Sequence, residues 1–408
     1  MSPREERWQE KVNQVLSKIS KVKIKVTKVK SGQTFHRCYL QVPVSSKERD
    51  IRNYGEFIAR ELKLNAIPSI HTIFKEGSIV IDIPNEEREK VELEDCLNSK
   101  EFQQSVVKGI SLPYIIGRDN DGEVVVGNLL NDPHILIAGQ SGSGKTFAMR
   151  GIINSIQCAW GNIHDLCKFI YIDPKGVEFV PYKNLSNTLC YVNNPEQTIC
   201  VLENLIIEME NRFQVFEEAI EKEYLDVLTL KTYNELMLKR SKTDFISYIV
   251  VCIDELADLI LSDPKIEKLL IQLIQKSRAV GIHFICGTQR PSVDIISGPI
   301  RANLPTKICG KVAQPVDGRV VFGSSDFNAQ QLLGAGDLLY QNTQYPIPIR
   351  VQGVYSDWNF VKKMYYTFFH KKNSSNIIEF NKYFPLEQDE LPESLTVQGY
   401  ENISQLTI

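Results

Sequence analysis

The chain has 408 residues, of which 43% are hydrophobic and 24% charged, and its formal net charge is −3. That length leaves room for two or three domains with full cores, and the balance excludes a fibrous repeat or a largely disordered chain. The charge does not announce a nucleic-acid binder, although a ring-shaped motor can line a narrow channel with a few cations while its outer surface stays acidic.

Nine cysteines are scattered without a C-x-x-C pair, and Cys158, Cys252 and Cys286 fall inside apolar runs, which predicts small core residues in a reducing cytosol. No apolar stretch reaches the roughly 18 residues needed to cross a bilayer. The segment Met1 to Lys11 is too charged for a signal peptide. Direct membrane insertion is therefore not expected, and any recruitment to a membrane should pass through a partner.

In chain order, residues 1–22 read as an N-terminal helix and residues 23–110 as a small α+β unit. Within that unit Val22–Val29, Cys38–Val42 and Ser78–Ile83 carry strand patterns, and Ile51–Leu64 a helical one. Lys18, Lys21, Lys23, Lys25, Lys28 and Lys30 crowd its start, and the solvated face of a half-exposed strand is their simplest reading. A turn around Asp119-Asn-Asp-Gly122 separates two short strands and leads into a larger unit, residues 111–370.

From Asn131 strands and helices alternate as in an α/β fold with a mainly parallel sheet. The first strand, His134–Ala138, runs into Gly139-Gln140-Ser141-Gly142-Ser143-Gly144-Lys145-Thr146, and a helical stretch, Phe147–Ile156, follows. This is the phosphate-binding pattern G-x-x-x-x-G-K-[ST] in its strand-to-helix context. Glycines let backbone N–H groups converge on phosphate oxygens, Lys145 brings a point charge, Thr146 a hydroxyl for Mg²⁺, and the helix its dipole.

Further strands are expected at Phe169–Ile172, Tyr248–Ile253, His283–Gly287, Lys307–Val312 and Ile347–Val351, with helices over Glu196–Leu238 (broken) and Pro264–Ala279. The Tyr248–Ile253 run ends in Asp254-Glu255, which predicts a buried strand presenting carboxylates to the phosphate site. Asp254 is expected to hold Mg²⁺ through its water shell and Glu255 to polarise the attacking water. The Phe169–Asp173 strand, lying between the two motifs in sequence, points to ATPases with an added strand and a catalytic glutamate, not to small GTPases. Gln289, beyond the next strand, is placed to sense the γ-phosphate. After residue 370 come a polar linker, Lys371–Asn376, and an acidic tail, residues 371–408 in all.

The stretches Ile116-Gly-Arg-Asp-Asn-Asp-Gly-Glu123, Ile172-Asp-Pro-Lys175, Ile253-Asp-Glu-Leu-Ala-Asp258, Gln275-Lys-Ser-Arg-Ala-Val-Gly-Ile-His283, Gly287-Thr-Gln-Arg-Pro-Ser-Val-Asp294 and Leu333-Gly-Ala-Gly-Asp-Leu-Leu-Tyr340 resemble, in order and spacing, the FtsK/SpoIIIE DNA translocases, members of the HerA/FtsK superfamily. The resemblance runs from about residue 23 to 370. It implies a RecA-like P-loop ATPase domain preceded by a small α+β submodule, a homohexameric ring with ATP and Mg²⁺ at subunit interfaces, and double-stranded DNA pumped through the centre. On the matching positions Lys145 and Thr146 take the phosphate-loop roles, Asp254 and Glu255 the acidic pair, Gln289 the sensor, and Asp173 and Lys175 the Ile-Asp-Pro-Lys motif. Arg319 becomes a candidate DNA contact.

There are departures from the family pattern. Lys307 stands where an arginine follows Asn-Ile/Leu-Pro-Thr, so the residue reaching a neighbour's γ-phosphate is Lys307, Arg278 or Arg301. Gly318, before Arg319, replaces a serine. Neither membrane spans nor a C-terminal winged-helix module is legible, so a motor region alone is expected. The expected function is thus a cytoplasmic bacterial DNA translocase, serving as alternatives a mobile element, a conjugation system or a defence system. A coupling ATPase that recruits nucleoprotein or protein to a conjugation or secretion channel is the other reading. A nucleotide-controlled scaffold is disfavoured because Glu255 and Gln289 are both present.

Overall fold

The computed structural model describes residues 2–19, 23–32, 34–43, 51–73, 77–85, 88–107, 111–160, 166–223, 226–240, 245–324, 329–364 and 366. The expected polar linker and acidic tail, 371–408, lie outside the described residues. Helix Pro3–Ser17 starts with a reciprocal cap: Glu5 N donates to the Ser2 hydroxyl and Ser2 N to the Glu5 carboxylate. Its Val12, Val15 and Leu16 lie against a four-stranded antiparallel sheet made of β1 (Lys25–Ser31), β2 (Phe35–Gln41), β3 (Ser69–Ile73) and β4 (Ser78–Pro84), in the order β1-β2-β4-β3. This helix therefore shares the small sheet's core and is not a separate unit. In β1, a register shift between Val26 and Lys28 lets both Val26 and Val29 point inward, and Lys25 and Lys28 remain exposed.

The second sheet contains β5 (Val91–Glu92), β6 (Pro113–Arg118), β7 (Val124–Asn128), β8 (Ile135–Ala138), β9 (Cys167–Ile172), β10 (Thr188–Val192), β11 (Tyr248–Ile253), β12 (Ile282–Thr288), β13 (Thr306–Cys309), β14 (Asp337–Gln341) and β15 (Ile349–Tyr355). Its order is β10-β9-β11-β12-β8-β13-β14-β15-β6-β7, with β5 beside β15. From β10 to β13 every pairing is parallel, and from β13 to β7 every pairing is antiparallel. Every residue of β9, β11 and β12 is buried, which is why these strands read as unbroken apolar runs.

The chain leaves β8 through helix Lys145–Trp160 toward β9, and leaves β12 through helix Gly298–Asn303 toward β13 on the other side of β8. This change of direction makes the carboxyl end of β8 the topological switch point, where α/β sheets bind ligands. The strand separating β8 from β11 in space is β12. The Phe169–Asp173 segment, expected to supply the added strand, is β9 and lies beyond β11; order along the chain does not fix order across the sheet.

Several boundaries move for local reasons. The expected long helix is Pro195–Glu223 and Leu230–Lys239, the second capped by the Thr229 hydroxyl. The strand expected at Lys307–Val312 stops at Cys309, and that at Ile347–Val351 runs Ile349–Tyr355. His134 sits at φ 62 and receives a hydrogen bond from Phe284 N at its Nδ1, so β8 begins one residue later than expected.

The border expected at residue 110 falls inside the larger core. Val91, Leu93, Cys96, Leu97 and Phe102 pack with Tyr114, Leu129 and the rest of that core, so the small unit ends before β5. A buried ionic chain crosses the junction. Arg37 of β2 holds Asp82 of β4 at 2.8 Å and 2.9 Å, Arg350 of β15 lies 3.8 Å from Asp82, and the same Arg350 grips Asp337 of β14 at 2.8 Å and 2.6 Å. Burial alone would raise the Asp82 carboxyl, yet Arg37, His71 and Arg350 hold it below its ordinary value. Among the described residues, no helix is long and apolar enough to cross a membrane.

Candidate active site

Lys145 opens its helix directly beneath the glycine-rich loop, and its side chain is 4% exposed. Its Nζ donates to the Asp254 carbonyl at 2.6 Å and to Asp254 Oδ1 at 2.8 Å, and lies 3.8 Å from Glu255 Oε2. A Cβ on Gly287 of β12 would stand 3.2 Å from that ammonium and 2.4 Å from the Asp254 carbonyl, so glycine there opens the slot through which lysine reaches β11. The structure thus brings together the phosphate-loop lysine and both expected acids.

The loop has a partner from far along the chain. Gly144, at φ 104, comes so close to the Gly334-Ala335-Gly336 turn that a Cβ would lie 2.4 Å from Gly336 N. Ala335 N and Gly336 N donate to the carbonyls of Gly142 and Ser143 at 2.8 Å and 3.0 Å. Behind the turn, Arg88 Nη1 donates to Gly334 O, Gln352 Nε2 to Ala335 O and Gly353 N to Gly336 O. Leu333 N donates to Asp337, the end of the buried ionic chain.

Glu255 caps helix Leu256–Ser262 and is 2% exposed. Its Oε1 accepts from the Thr288 hydroxyl at 2.7 Å, and both carboxylate oxygens accept from Gln289 N, at 3.0 Å and 2.9 Å. Gln289 meets the site through its backbone, with its side chain exposed, whereas a side-chain sensor was expected. Thr288 was not anticipated; nothing in the pattern of an apolar strand end distinguishes a hydroxyl aimed at the base from a core threonine.

Asp173 has a structural place. Its oxygens accept from Gly176 N and Phe179 N, each at 3.0 Å, closing a turn that carries Glu178 toward the phosphate loop. There Thr146 Oγ1 donates to Glu178 Oε1 at 3.3 Å and Arg150 Nη2 to Glu178 Oε2 at 2.8 Å. Glu178 was missed because the turn that delivers it has no recognisable spacing of its own. Lys175 lies on the surface, 3.5 Å from Asp258, with both side chains more than two-fifths exposed.

Thr146 and Asp254 offer hard oxygen donors, and among the described residues no group of three or more His, Cys, Asp and Glu could hold a metal. That donor set fits Mg²⁺, which keeps waters and phosphate oxygens as most of its ligands.

The remaining candidates stand apart from this centre. Arg278 precedes β12, at the amino edge of the sheet, a strand length or about 23 Å from the phosphate loop. Lys307 is paired with Leu136 in mid-strand, and burial followed by the nearby Arg301 lowers its pKa. Arg319, the candidate DNA contact, is exposed on helix Pro315–Phe322.

A sequence model described as the FtsK/SpoIIIE family matches residues 92–293. The chain is 33% identical over 337 residues to a DNA translocase FtsK of Treponema pallidum (strain Nichols), covering 82% of this chain and 41% of that protein. It is 36% identical over 341 residues to a DNA translocase FtsK of Oceanobacillus iheyensis, covering 82% and 42%. The chain spans about two fifths of the length of these relatives. Among solved structures, the pCW3 conjugation coupling protein TcpA with ATPγS superposes at a TM-score of 0.59, with 19% identity over 88% of this chain and 98% of that one. The cytoplasmic domain of the Thermomonospora curvata type VII secretion ATPase EccC gives 0.56, with 18% identity over 68% and 34%. These two likenesses concern the fold.

Proposed function

Because this chain belongs to the FtsK/SpoIIIE family, we propose that it hydrolyses ATP and uses the turnover to pump double-stranded DNA through a homo-oligomeric ring, most simply a hexamer. The observation that carries the reading is the contact of Lys145 with Asp254 and Glu255 at the switch point of the sheet. A chain with only a nucleotide-sensing role has no use for a buried glutamate held by Thr288 and Gln289 N beside that lysine.

On ATP entry Lys145 exchanges the Asp254 carboxylate for the β- and γ-phosphates. Mg²⁺, when bound, neutralises charge on the phosphate oxygens, and Thr146 and Asp254 would hold it. Glu255, fixed by its three hydrogen-bond donors' atoms at Thr288, Gln289 and Ala257, accepts the proton of the attacking water. Arg278 lies too far from its own phosphate loop to act there, and with Arg301 and Lys307 it is a candidate to stabilise the neighbour's transferring phosphate. In this reading the motor works in the bacterial cytoplasm and meets a membrane through a partner.

The test is steady-state ATP hydrolysis with and without linear double-stranded DNA across a salt series. Stimulation that fades as salt rises is the expected result for a motor that touches phosphates. Turnover indifferent to DNA would instead assign the hydrolysis to recruitment of a protein or nucleoprotein substrate. Arg319→Ala is expected to lower the DNA-stimulated rate several-fold and leave the basal rate within about twofold; equal losses in both rates would remove Arg319 from the DNA path.

A further inference from the structure

A hydroxyl that ligates a cation through its oxygen lone pairs must direct its proton elsewhere, and the group that takes that proton sets the direction of the lone pairs. Thr146 has such a group. Its Oγ1 donates to Glu178 Oε1 at 3.3 Å, and the other carboxylate oxygen is engaged by Arg150 Nη2 at 2.8 Å. Arg150 lies one turn along the same helix as Thr146, buried, with its guanidinium carbon 3.4 Å from the centre of the Trp358 ring. The backbone on the other side is equally fixed: both Asp173 oxygens close the 173–179 turn, and Phe179 is buried against Tyr171. Glu178 is therefore held from both ends, with one oxygen aimed at the hydroxyl.

We propose that Glu178 is a positioning residue for the cation of the metal–nucleotide complex: it accepts the Thr146 proton and so turns the Oγ1 lone pairs toward the metal. The proposal rests on the reading of Lys145 and Thr146 as a nucleotide site. Arg150 and Trp358 are the support that keeps Glu178 in reach, so the metal site extends from the phosphate loop to the start of helix Trp358–Met364.

Glu178→Gln tests it with little change of shape. The amide has a single acceptor oxygen, which the charged Arg150 claims, so an NH₂ group is left facing Thr146 and donates to the lone pair the metal needs. The measurement is equilibrium binding of mant-ADP, which has no γ-phosphate to lose, to the full chain at increasing Mg²⁺ and in EDTA. In the variant the Mg²⁺ concentration for half-maximal tightening is expected to rise about tenfold or more, with affinity in EDTA unchanged; the melting temperature should fall, because Arg150 loses its countercharge, without bearing on that difference. In a Thr146→Ala background Glu178→Gln should add nothing.

A loss of equal size with and without Mg²⁺, or a tenfold shift that persists without the Thr146 hydroxyl, would make Glu178 only a partner for Arg150 and overturn the proposal. An unchanged Mg²⁺ dependence would overturn it as well. If the parent chain bound no mant-ADP in either condition, the nucleotide-site reading itself would fall, and this inference with it.

Discussion

Lys145→Ala is expected to lower ATP affinity by two to three orders of magnitude. Two losses combine. The β- and γ-phosphates lose their point charge, and Asp254 and Glu255, 3% and 2% exposed, lose the ammonium that stands 2.8 Å and 3.8 Å from them. Each charge-assisted contact to a phosphate contributes about 1.5–3 kcal/mol, and two of them, at about 1.4 kcal/mol per decade, account for a loss of two to three orders of magnitude. The carboxylates of Asp254 and Glu255, without their ammonium, also face the incoming polyanion. Calorimetric titration with ATPγS reads the affinity directly, and an unchanged Kd would refute the site.

Glu255→Gln is expected to retain ATP and lose turnover. Removing a positioned general base lowers kcat by about 10²–10⁴. The glutamine keeps the volume of the side chain, but it cannot take a proton, and its NH₂ meets either the Thr288 hydroxyl or Gln289 N, both of which donate to the carboxylate. Nucleotide affinity should stay within a few-fold of the parent, since Glu255 is the more distant of the two acids from Lys145. Single-turnover hydrolysis separates the steps. A rate within tenfold of the parent would assign the base to another group. If the ring reading holds, the variant should also stay on DNA longer in ATP.

The elements that carry chemistry were legible because their signals are local. Gly139 to Thr146 announces its own turn and helix, and an apolar run ending in Asp254-Glu255 announces a buried strand and its carboxyl end. Spatial order was less legible: the place of β12 between β8 and β11 follows from crossovers that no residue pattern records. The border expected at residue 110 differs from the packing because helix Lys100–Val107 alternates polar and apolar residues like any surface helix, and its allegiance shows only where Phe102 and Val106 pack with the larger core. The roles of Glu178 and the Gly334–Gly336 turn escaped for a common reason. Each lies in a connection whose geometry is fixed elsewhere, the first by Asp173 and the second by Arg350 and Asp337, whereas Thr288 ends β12 and reads as one more core residue.

The turn that clamps the phosphate loop also sets a schedule for synthesis. Gly353, whose N–H holds Gly336 from behind, leaves the ribosome about two hundred residues after Thr146, which at 5–20 residues per second is roughly 10–40 s. Through that interval the nascent chain displays a complete phosphate-binding motif without the hydrogen bonds on Gly142 O and Ser143 O that give the loop its shape. The growing chain therefore carries the sequence of the phosphate loop well before it can hold the loop's folded shape, which is complete only when β14 and β15 have joined the sheet.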